Sequence, residues 1–345
     1  MGRYRFYSII VPTYNREEEI RELLDSFRQL DFPADRFELI IVDDGSTDGT
    51  APLVAAYQQQ VPFHVKLIRQ LNQGPGAARN RGMEEARGDF FIFLDSDVTV
   101  PPHWLTVVDA SLNAYGGDAF GGPDAHRDDF PPLLKAINYA MTSFLTTGGI
   151  RGHAQKKMGK YHPRSFNMGV SRKIYRKIGG FSNIRHGQDI EYSHRIGQSG
   201  ARILHIPEAY VFHKRRTSLV QFFRQVFNFG VARVRLAQLD ARLLEAVHLL
   251  PALAVLGLAS LLLGAWIHPL IARLTLTAIG SAFAALLVAG VHGALRYRDA
   301  RLLFLIPFVI PIQILGYGLG FLAGVWFRII RRRDDYIGFR KRYYQ

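Results

Sequence analysis

Residues 90–97 read Phe90-Phe91-Ile92-Phe93-Leu94-Asp95-Ser96-Asp97. Five apolar residues in a row predict a strand buried on both faces, which is typical of a central strand in a parallel sheet. Two carboxylates follow it at i and i+2, and open α/β sheets bind their ligands at this carboxyl edge. Hard oxygen ligands with open coordination positions suit Mg²⁺ or Mn²⁺ holding a diphosphate. The alternative is a solvated turn, because the D-x-D pattern is common.

Two earlier segments predict further strands that end in polar residues. A short β-branched run, 8–11, is followed by Pro12-Thr13-Tyr14-Asn15 and then by a charged helix. A second run, 38–42, ends in Asp43 and Asp44 before a helix that starts near Thr50. Strands and helices that alternate with short turns indicate a parallel, doubly wound α/β fold. Asp44 is predicted either to hydrogen-bond a nucleoside or to cap the following helix.

A glycine-containing segment precedes the central strand. It reads Asn72-Gln73-Gly74-Pro75-Gly76-Ala77-Ala78-Arg79-Asn80-Arg81-Gly82. Gly74 and Gly76 allow the backbone to approach a ligand, and a helix N-terminus behind them favours anions. Arg79 stands where a dinucleotide fingerprint has its third glycine, which argues against a dinucleotide oxidoreductase. We interpret Arg79 as a charged arm that faces a nucleotide or pairs with Asp44 or Asp95.

The order and spacing of these motifs resemble family 2 glycosyltransferases of the GT-A fold. The resemblance rests on residues 11–15, 42–50, 72–80 and 95–97. It implies a nucleotide-diphospho-sugar transferase domain with a Rossmann-like sheet, in which Asp44 contacts the base of the donor nucleotide. It also implies that Asp97, assisted by Asp95, holds a divalent metal, Mg²⁺ or Mn²⁺, on the donor diphosphate. The donor-binding candidates are Pro12, Tyr14, Asp44, Gly76, Arg79 and Asp95.

The likeness continues beyond the central strand. Residues 166–170 and 178–181 resemble the segment that closes over the sugar, which adds Asn167 to the donor-binding candidates. Residues 187–191 resemble a Glu-Asp element whose Asp is the catalytic base, although Gln188 replaces the Glu. The resemblance therefore implies that Asp189 accepts the proton of the acceptor hydroxyl. The alternatives are that Asp189 only caps a helix, or that Glu191 is the base.

A basic stretch, Val211-Phe212-His213-Lys214-Arg215-Arg216, follows. It is similar to a His-containing stretch of membrane-bound family members, so His213 is a candidate metal ligand or pyrophosphate contact. Arg216, or Arg215, is a candidate to neutralise the leaving diphosphate. An equal alternative is that these basic residues form a surface cluster that contacts anionic lipid. Residues 221–224 resemble the Gln-x-x-Arg-Trp element of processive synthases, but Gln225 replaces the Trp, which argues against processivity.

The composition changes sharply from residue 249 onward. Residues 249–267, 274–291 and 302–327 carry no charge, and each run is long enough to approach the thickness of a bilayer core. Residues 218–239 place apolar side chains at helical spacing among arginines, which predicts an interfacial helix, and 133–144 has a similar apolar character. We therefore predict a catalytic domain over 1–213, an amphipathic linker over 214–244, a membrane region over 245–327 and a basic tail over 328–345.

The basic residues also bear on topology and partners. Clusters at 296–301 and 328–342 are expected on the cytoplasmic side. A third full span would place the tail outside, so the run broken by Pro307, Pro311 and three glycines is alternatively re-entrant or flat. The net charge of +14 implies an anionic partner. Nucleic acid is disfavoured, because the basic residues gather at membrane boundaries rather than in an aromatic-interleaved stripe.

Together these features predict a membrane-anchored, metal-dependent inverting glycosyltransferase. It would move a sugar from a nucleotide-sugar donor, with UDP favoured, to a membrane-presented acceptor such as a polyprenyl-diphosphate-linked saccharide. A polyprenyl-monophosphate transferase, a polysaccharide synthase and a binding-only transferase are the alternatives. The absence of cysteine excludes disulfides, thiolate chemistry and Cys–zinc sites. The absence of cysteine, together with the absence of a predicted secretory signal, fits a multi-pass protein of the bacterial inner membrane with a cytoplasmic catalytic domain.

Overall fold

The computed structural model describes residues 5–125, 130–143, 162–213 and 218–339. These residues form two compact units. The first contains 5–125 and 162–213, and the second contains 130–143 and 218–339. Residues 130–143, which the predicted catalytic domain includes, therefore group with the C-terminal helices.

The first unit is an α/β domain built on a seven-stranded sheet of order β3-β2-β1-β4-β8-β6-β9. The strands are β1 (Tyr7–Thr13), β2 (Phe37–Asp43), β3 (His64–Arg69), β4 (Phe90–Leu94), β5 (Val98–Thr99), β6 (Ala119–Gly121), β7 (Asp124–Ala125), β8 (Asn167–Ser171), β9 (Ile203–His205) and β10 (Val211–His213). Its helices are α1 (Glu17–Phe27), α2 (Thr50–Gln58), α3 (Pro75–Glu85), α4 (Trp104–Tyr115), α6 (Arg172–Ile178) and α7 (Gln188–Gln198), while α5 (Pro132–Thr142) belongs to the second unit.

The central strand is β4, as the sequence predicts. Phe90, Ile92 and Leu94 pack into the core on one face of the sheet. Phe91 and Phe93 pack into a second core on the other face. β1, β2, β3 and β4 are mutually parallel, whereas β8 pairs antiparallel to β4. The carboxyl ends of the four parallel strands therefore meet at one edge. The remaining strands form a small sheet of order β5-β10-β7.

The second unit is helical. Besides α5 it contains α8 (Leu219–Leu239), α9 (Leu250–Ala265), α10 (Pro269–Tyr297) and α11 (Leu302–Gly324), which a π-helix continues over Val325–Ile330. Two of its helical segments, Pro269–Tyr297 and Leu302–Ile330, are long and apolar enough to cross a bilayer. α9 is apolar but shorter, at 16 residues. The predicted break in the third apolar run is absent, because the helix continues through Pro307 and Pro311.

The apolar side of α8 packs within this unit. Ser218 caps the N-terminus of α8, where its hydroxyl accepts a hydrogen bond from the Gln221 backbone amide. Phe222, Val226 and Val234 are buried, and Val226 and Val234 lie against glycines of α11. The hydrophobic spacing of α8 therefore serves packing against another helix, and the interfacial position that the same spacing suggests stays a prediction.

The glycines of α11 serve close helix packing rather than a break. A Cβ added at Gly320 would clash with the carbonyl oxygen of Phe227, and one at Gly230 with that of Tyr317. Small residues of this kind let two helix backbones approach closely in apolar surroundings. α8 and α11 are therefore in backbone contact.

Gly320→Ala is expected to destabilise the helical unit, since the methyl group meets backbone that cannot rotate away. The cost should reach about 1–3 kcal/mol, the usual range for overpacking. Gly280→Ala is the matched control, because a Cβ there has no neighbour within 4 Å. Thermal unfolding of the detergent-purified protein measures both. Equal midpoints for the two variants would contradict the close packing of α8 on α11.

Candidate active site

The site candidates gather where the parallel strands end. Register places Thr13 beside Asp43, and Asp95 follows directly after β4, the other neighbour of β1. β1 and β2 end in the polar residues Thr13 and Asp43, and Asp95 follows the last residue of β4, so the sheet brings these groups to one edge. This is the edge at which open α/β sheets bind ligands.

Asp44 organises the loop between β3 and α3. The carboxylate is buried, and its Oδ1 accepts hydrogen bonds from Gln70 Nε2 at 2.7 Å and the Gln73 amide at 2.9 Å. Its Oδ2 accepts from the Gly74 amide at 2.7 Å. Gly74 has φ +91°, a conformation that favours glycine. A carboxylate accepts about four hydrogen bonds, so a position remains for the predicted nucleoside contact.

Asp44→Asn is expected to lower stability even without a ligand. The amide would direct an N–H group at one of the backbone or side-chain donors, and a buried donor left unsatisfied costs about 1–3 kcal/mol. Thermal unfolding in the absence of nucleotide measures this effect. Asp35→Asn is the control, because Asp35 is an exposed residue that precedes β2 at the opposite edge of the sheet. A wild-type midpoint for Asp44→Asn would contradict the loop-ordering role.

The loops after β1 and β2 are tied to each other. Asn15 has φ +50°. Its side-chain Oδ1 accepts a hydrogen bond from the Thr47 backbone amide at 2.8 Å, and its backbone amide donates to Ser46 Oγ at 2.9 Å. Asp48 accepts from the Thr50 amide at 3.1 Å and from the Glu17 amide at 3.2 Å, so it joins the starts of α2 and α1. Pro12 is buried inside β1, and Tyr14 is half-buried just beyond it.

A candidate metal site lies beside these loops. Asp95, Asp97 and His213 each offer a ligand atom within 4.8 Å of the others, the one such group found among the described residues. His213 Nε2 lies 3.2 Å from Asp97 Oδ1. All three side chains are half-buried. Two carboxylates and an imidazole fit a divalent cation that keeps further positions open for other ligands.

Arg79 contacts this cluster from α3. Its Nη2 donates to Asp95 Oδ1 at 2.5 Å, and its guanidinium lies 5.4 Å from the centroid of the Phe181 ring. The side chain is only 5% exposed, although it carries a full charge. Of the alternatives that the sequence left open for Arg79, the structure shows the pair with Asp95. Asp95 is therefore partly neutralised by protein, whereas Asp97 faces His213.

Asp189 lies in the first turn of α7. Its side chain is 24% exposed, and Oδ2 lies 3.2 Å from Nη1 of Arg164. Glu191 instead pairs with Arg195 at 2.5 Å and accepts from Ser182 Oγ at 2.7 Å. Arg195 also donates to the carbonyl oxygens of Ile178 and Gly180. Glu191 therefore stabilises the 178–182 turn. Of the two acids, Asp189 is the stronger candidate for the general base.

Two predicted donor contacts have structural partners here. Asn167 is fully buried, where its Oδ1 accepts from Trp104 Nε1 at 3.2 Å and its Nδ2 donates to the Ala209 carbonyl at 2.6 Å. This placement differs from the predicted donor contact, because the amide joins β8 to α4 and to the segment that precedes β10. Gly76 makes room for the Gln188 side chain, which occupies the space of a Cβ. Arg216 lies outside the described residues.

Asn80 and Arg164 were not predicted as site residues. Asn80 Nδ2 donates to the Phe181 carbonyl at 2.9 Å, and its Oδ1 accepts from the Phe181 amide at 2.7 Å. The position of Asn80 directly after Arg79 was the sequence feature that could have indicated its role. The Phe181 ring lies against the ring of Tyr192, whose pKa is raised by burial, so that this phenol stays protonated. α3 therefore holds the turn that precedes Asp189.

Comparison with known proteins agrees with this architecture. Residues 8–179 match the family described as Glycosyl transferase family 2. The poly(ribitol-phosphate) beta-N-acetylglucosaminyltransferase TarS of Staphylococcus aureus is 38% identical over 112 residues, which cover 32% of this chain and 20% of TarS. The undecaprenyl-phosphate 4-deoxy-4-formamido-L-arabinose transferase of Shewanella sediminis is 35% identical over 209 residues, covering 56% of this chain and 60% of that protein.

Among solved structures, the mannosyltransferase PcManGT from Pyrobaculum calidifontis, in complex with GDP-Man and Mn²⁺, superposes with a TM-score of 0.59. It is 22% identical, and the match covers 93% of this chain and 88% of that chain, which shows a shared fold. The chain spans only a fifth of the length of TarS. With the strand-end motifs in register, residues 8–179 therefore form a domain of glycosyl transferase family 2, and the fold of this α/β unit is GT-A-like.

Proposed function

We propose that this enzyme transfers a sugar, with inversion, from a nucleoside-diphosphate sugar to a lipid-linked acceptor at a membrane. The observation that carries the proposal is the group of Asp95, Asp97 and His213 at the end of β4, beside the buried Arg79. An acidic group at the ligand-binding edge of the sheet suits a cation that holds a diphosphate. Asp44 and its loop lie at the same edge and are the candidates to bind the nucleoside.

The residues present fit a divalent metal. Carboxylates suit Mg²⁺ and Mn²⁺, while an imidazole ligand favours a transition metal, so Mn²⁺ is the preferred ion. When bound, the metal would neutralise charge on the donor diphosphate and on the departing nucleoside diphosphate. Asp97 and His213 are the proposed ligands. Asp95, already paired with Arg79 at 2.5 Å, would contribute a shared carboxylate.

Asp189 is the proposed general base. It would take the proton from the acceptor hydroxyl as that oxygen bonds to the anomeric carbon. The bond from the anomeric carbon to the diphosphate oxygen breaks in the same step, and the nucleoside diphosphate leaves with the electron pair. Arg164, whose Nη1 lies 3.2 Å from Asp189 Oδ2, would keep the carboxylate oriented until the acceptor arrives.

Membrane association is supported by the surface of the helical unit. Large apolar side chains are exposed along α9, α10 and α11, among them Leu263, Trp266, Leu276, Phe304 and Phe308. Trp266 is 93% exposed and Leu276 70%. Contiguous exposed apolar surface of this kind marks a membrane or a protein interface. Two of these helices also have the length and composition of membrane spans.

The acceptor class follows from this setting. An enzyme held at a bilayer meets acceptors that are themselves lipid-linked, and the name of the Shewanella sediminis relative states an undecaprenyl-phosphate transferase. We therefore propose a polyprenyl-phosphate-linked acceptor, either the diphosphate-linked saccharide or the monophosphate. The excess of basic residues suits the phosphate groups of such a lipid.

A sugar-transfer assay with the solubilised enzyme tests the proposal. Detergent-solubilised enzyme with Mn²⁺ is incubated with radiolabelled UDP-, GDP- or CDP-sugars and one of three acceptors: polyprenyl phosphate, polyprenyl-diphosphate saccharide, or a soluble oligosaccharide. The proposal expects label in the organic phase with one lipid acceptor and one nucleotide. Transfer to the soluble oligosaccharide alone would contradict the lipid acceptor. Release of free sugar without any transfer would contradict the whole proposal.

A further inference from the structure

The small sheet β5-β10-β7 brings a third carboxylate close to the histidine of the proposed metal site. His213 of β10 pairs with Val98 of β5, the residue directly after Asp97. On the other side of β10, Val211 pairs with Asp124 of β7. β10, the middle strand of this small sheet, therefore carries His213 between two carboxylates that are far apart in sequence.

The side-chain geometry matches this arrangement. Nε2 of His213 lies 3.2 Å from Asp97 Oδ1, and Nδ1 lies 3.9 Å from Asp124 Oδ2. The Phe166 ring lies against the imidazole, with centroids 5.3 Å apart. Asp124 is only 9% exposed, so its charge acts at short range with little screening by water. One edge of the imidazole thus faces the proposed metal cluster and the other faces Asp124.

A histidine binds a metal through one ring nitrogen while the other nitrogen carries the proton. A carboxylate beside that second nitrogen fixes the tautomer and strengthens the ligand. The separation of 3.9 Å exceeds a hydrogen bond, so Asp124 acts here through its charge, which favours a proton on Nδ1. That tautomer leaves the Nε2 lone pair directed at the cluster of Asp95 and Asp97.

We propose that Asp124 is a positioning residue that holds His213 ready to bind the divalent metal. This inference rests on the proposed function, because it requires the metal site. The competing explanation is that Asp124 only stabilises β7. The two differ in one respect: a positioning residue acts through His213, whereas a residue that stabilises the fold acts whether or not His213 is present.

Mn²⁺ binding to the full-length protein in detergent, followed by loss of the free-ion EPR signal, separates these explanations without measuring activity. The variants are Asp97→Asn, His213→Ala, Asp124→Asn and the double variant Asp124→Asn with His213→Ala. Asp124→Glu keeps the charge, and Asp35→Asn is a surface control that removes a charge elsewhere. Metal-free thermal midpoints report on folding.

Removing a carboxylate behind a metal-binding histidine typically weakens metal affinity by about 10- to 100-fold. We expect Asp124→Asn to fall in this range and Asp124→Glu to retain most of the affinity, with Asp35→Asn unchanged. In the His213→Ala background, Asp124→Asn should cause no further loss.

Three results would overturn the inference. Wild-type affinity in Asp124→Asn, with affinity lost in Asp97→Asn and His213→Ala, would remove the role of Asp124 and leave the metal site intact. Equal losses from Asp124→Asn with and without His213 would show a structural role instead. No binding by the wild type, or undiminished binding by Asp97→Asn, would overturn the proposed metal site together with this inference.

Discussion

Asp189→Asn is expected to lower kcat by about 10²- to 10⁴-fold, the usual contribution of a positioned general base. The amide cannot accept the proton of the acceptor hydroxyl, so the nucleophile must attack without losing it. Nucleotide affinity should stay within a few-fold of the wild type, because Asp189 lies on α7 and is paired with Arg164 rather than with the donor loops. Initial rates at saturating donor and acceptor measure kcat, and nucleotide titrations measure the affinity.

Glu191→Gln is the matched comparison for this prediction. Glu191 accepts from Ser182 and pairs with Arg195, so its loss should loosen the 178–182 turn and lower the thermal midpoint. If Glu191→Gln abolished turnover without lowering stability, while Asp189→Asn kept its kcat, the roles assigned to these two acids would have to be exchanged.

Asp97→Asn is expected to abolish the part of nucleotide binding that depends on metal. A ligand that binds only the folded protein adds about 2.7 kcal/mol of stability at a concentration near 100 times its Kd. The variant should lose most of this stabilisation in the presence of Mn²⁺ and should respond to nucleotide alone like the wild type. Turnover should fall to near background, since the leaving diphosphate would depart without its counter-charge.

Asp35→Asn again serves as the control for charge, because it removes a carboxylate at the opposite edge of the sheet. Asp95→Asn gives a graded comparison. Its carboxylate is shared with Arg79, so its loss both weakens the proposed metal site and leaves a buried guanidinium without its partner. Asp95→Asn should therefore lower the thermal midpoint, whereas Asp97→Asn should leave it near the wild type.

The central strand and the order of the strand-end motifs could be predicted because their signals are local. Phe90 to Leu94 is a continuous apolar run, and such a run favours a strand buried on both faces. Asp44, Asp95 and Asp97 then follow from the rule that parallel strands end at one edge. Asp95 and Asp97, the carboxylates of the proposed metal site, were predicted in this way from sequence alone.

The partners of His213 could not be predicted in the same way. β5 and β7 have two residues each and β10 has three, which is too short for a periodic pattern. The approach of Asp124 to His213 arises only from the pairing of these strands. Asn167 shows the converse: the motif around it predicted a ligand contact, while its amide is bound to Trp104 and Ala209 in the interior.

The helical unit shows how one sequence pattern fits two environments. The apolar spacing of 218–239 is compatible with a bilayer surface and with packing on a neighbouring helix, and the structure shows the second. Glycine and proline in the third apolar run predicted a break. Gly316 and Gly320 instead admit Val226 and Phe227 of α8 to close contact, while the helix continues through both prolines.

Thermal stabilisation by nucleotide and metal tests the central claim most directly. Detergent-purified wild type and Asp97→Asn are heated with UDP, GDP or CDP, each with and without Mn²⁺. The account predicts a rise in the midpoint for one nucleotide, which requires Mn²⁺ in the wild type and is absent in Asp97→Asn. A rise of equal size in both proteins would contradict the metal site at Asp97. No rise with any nucleotide would contradict donor binding at this edge of the sheet.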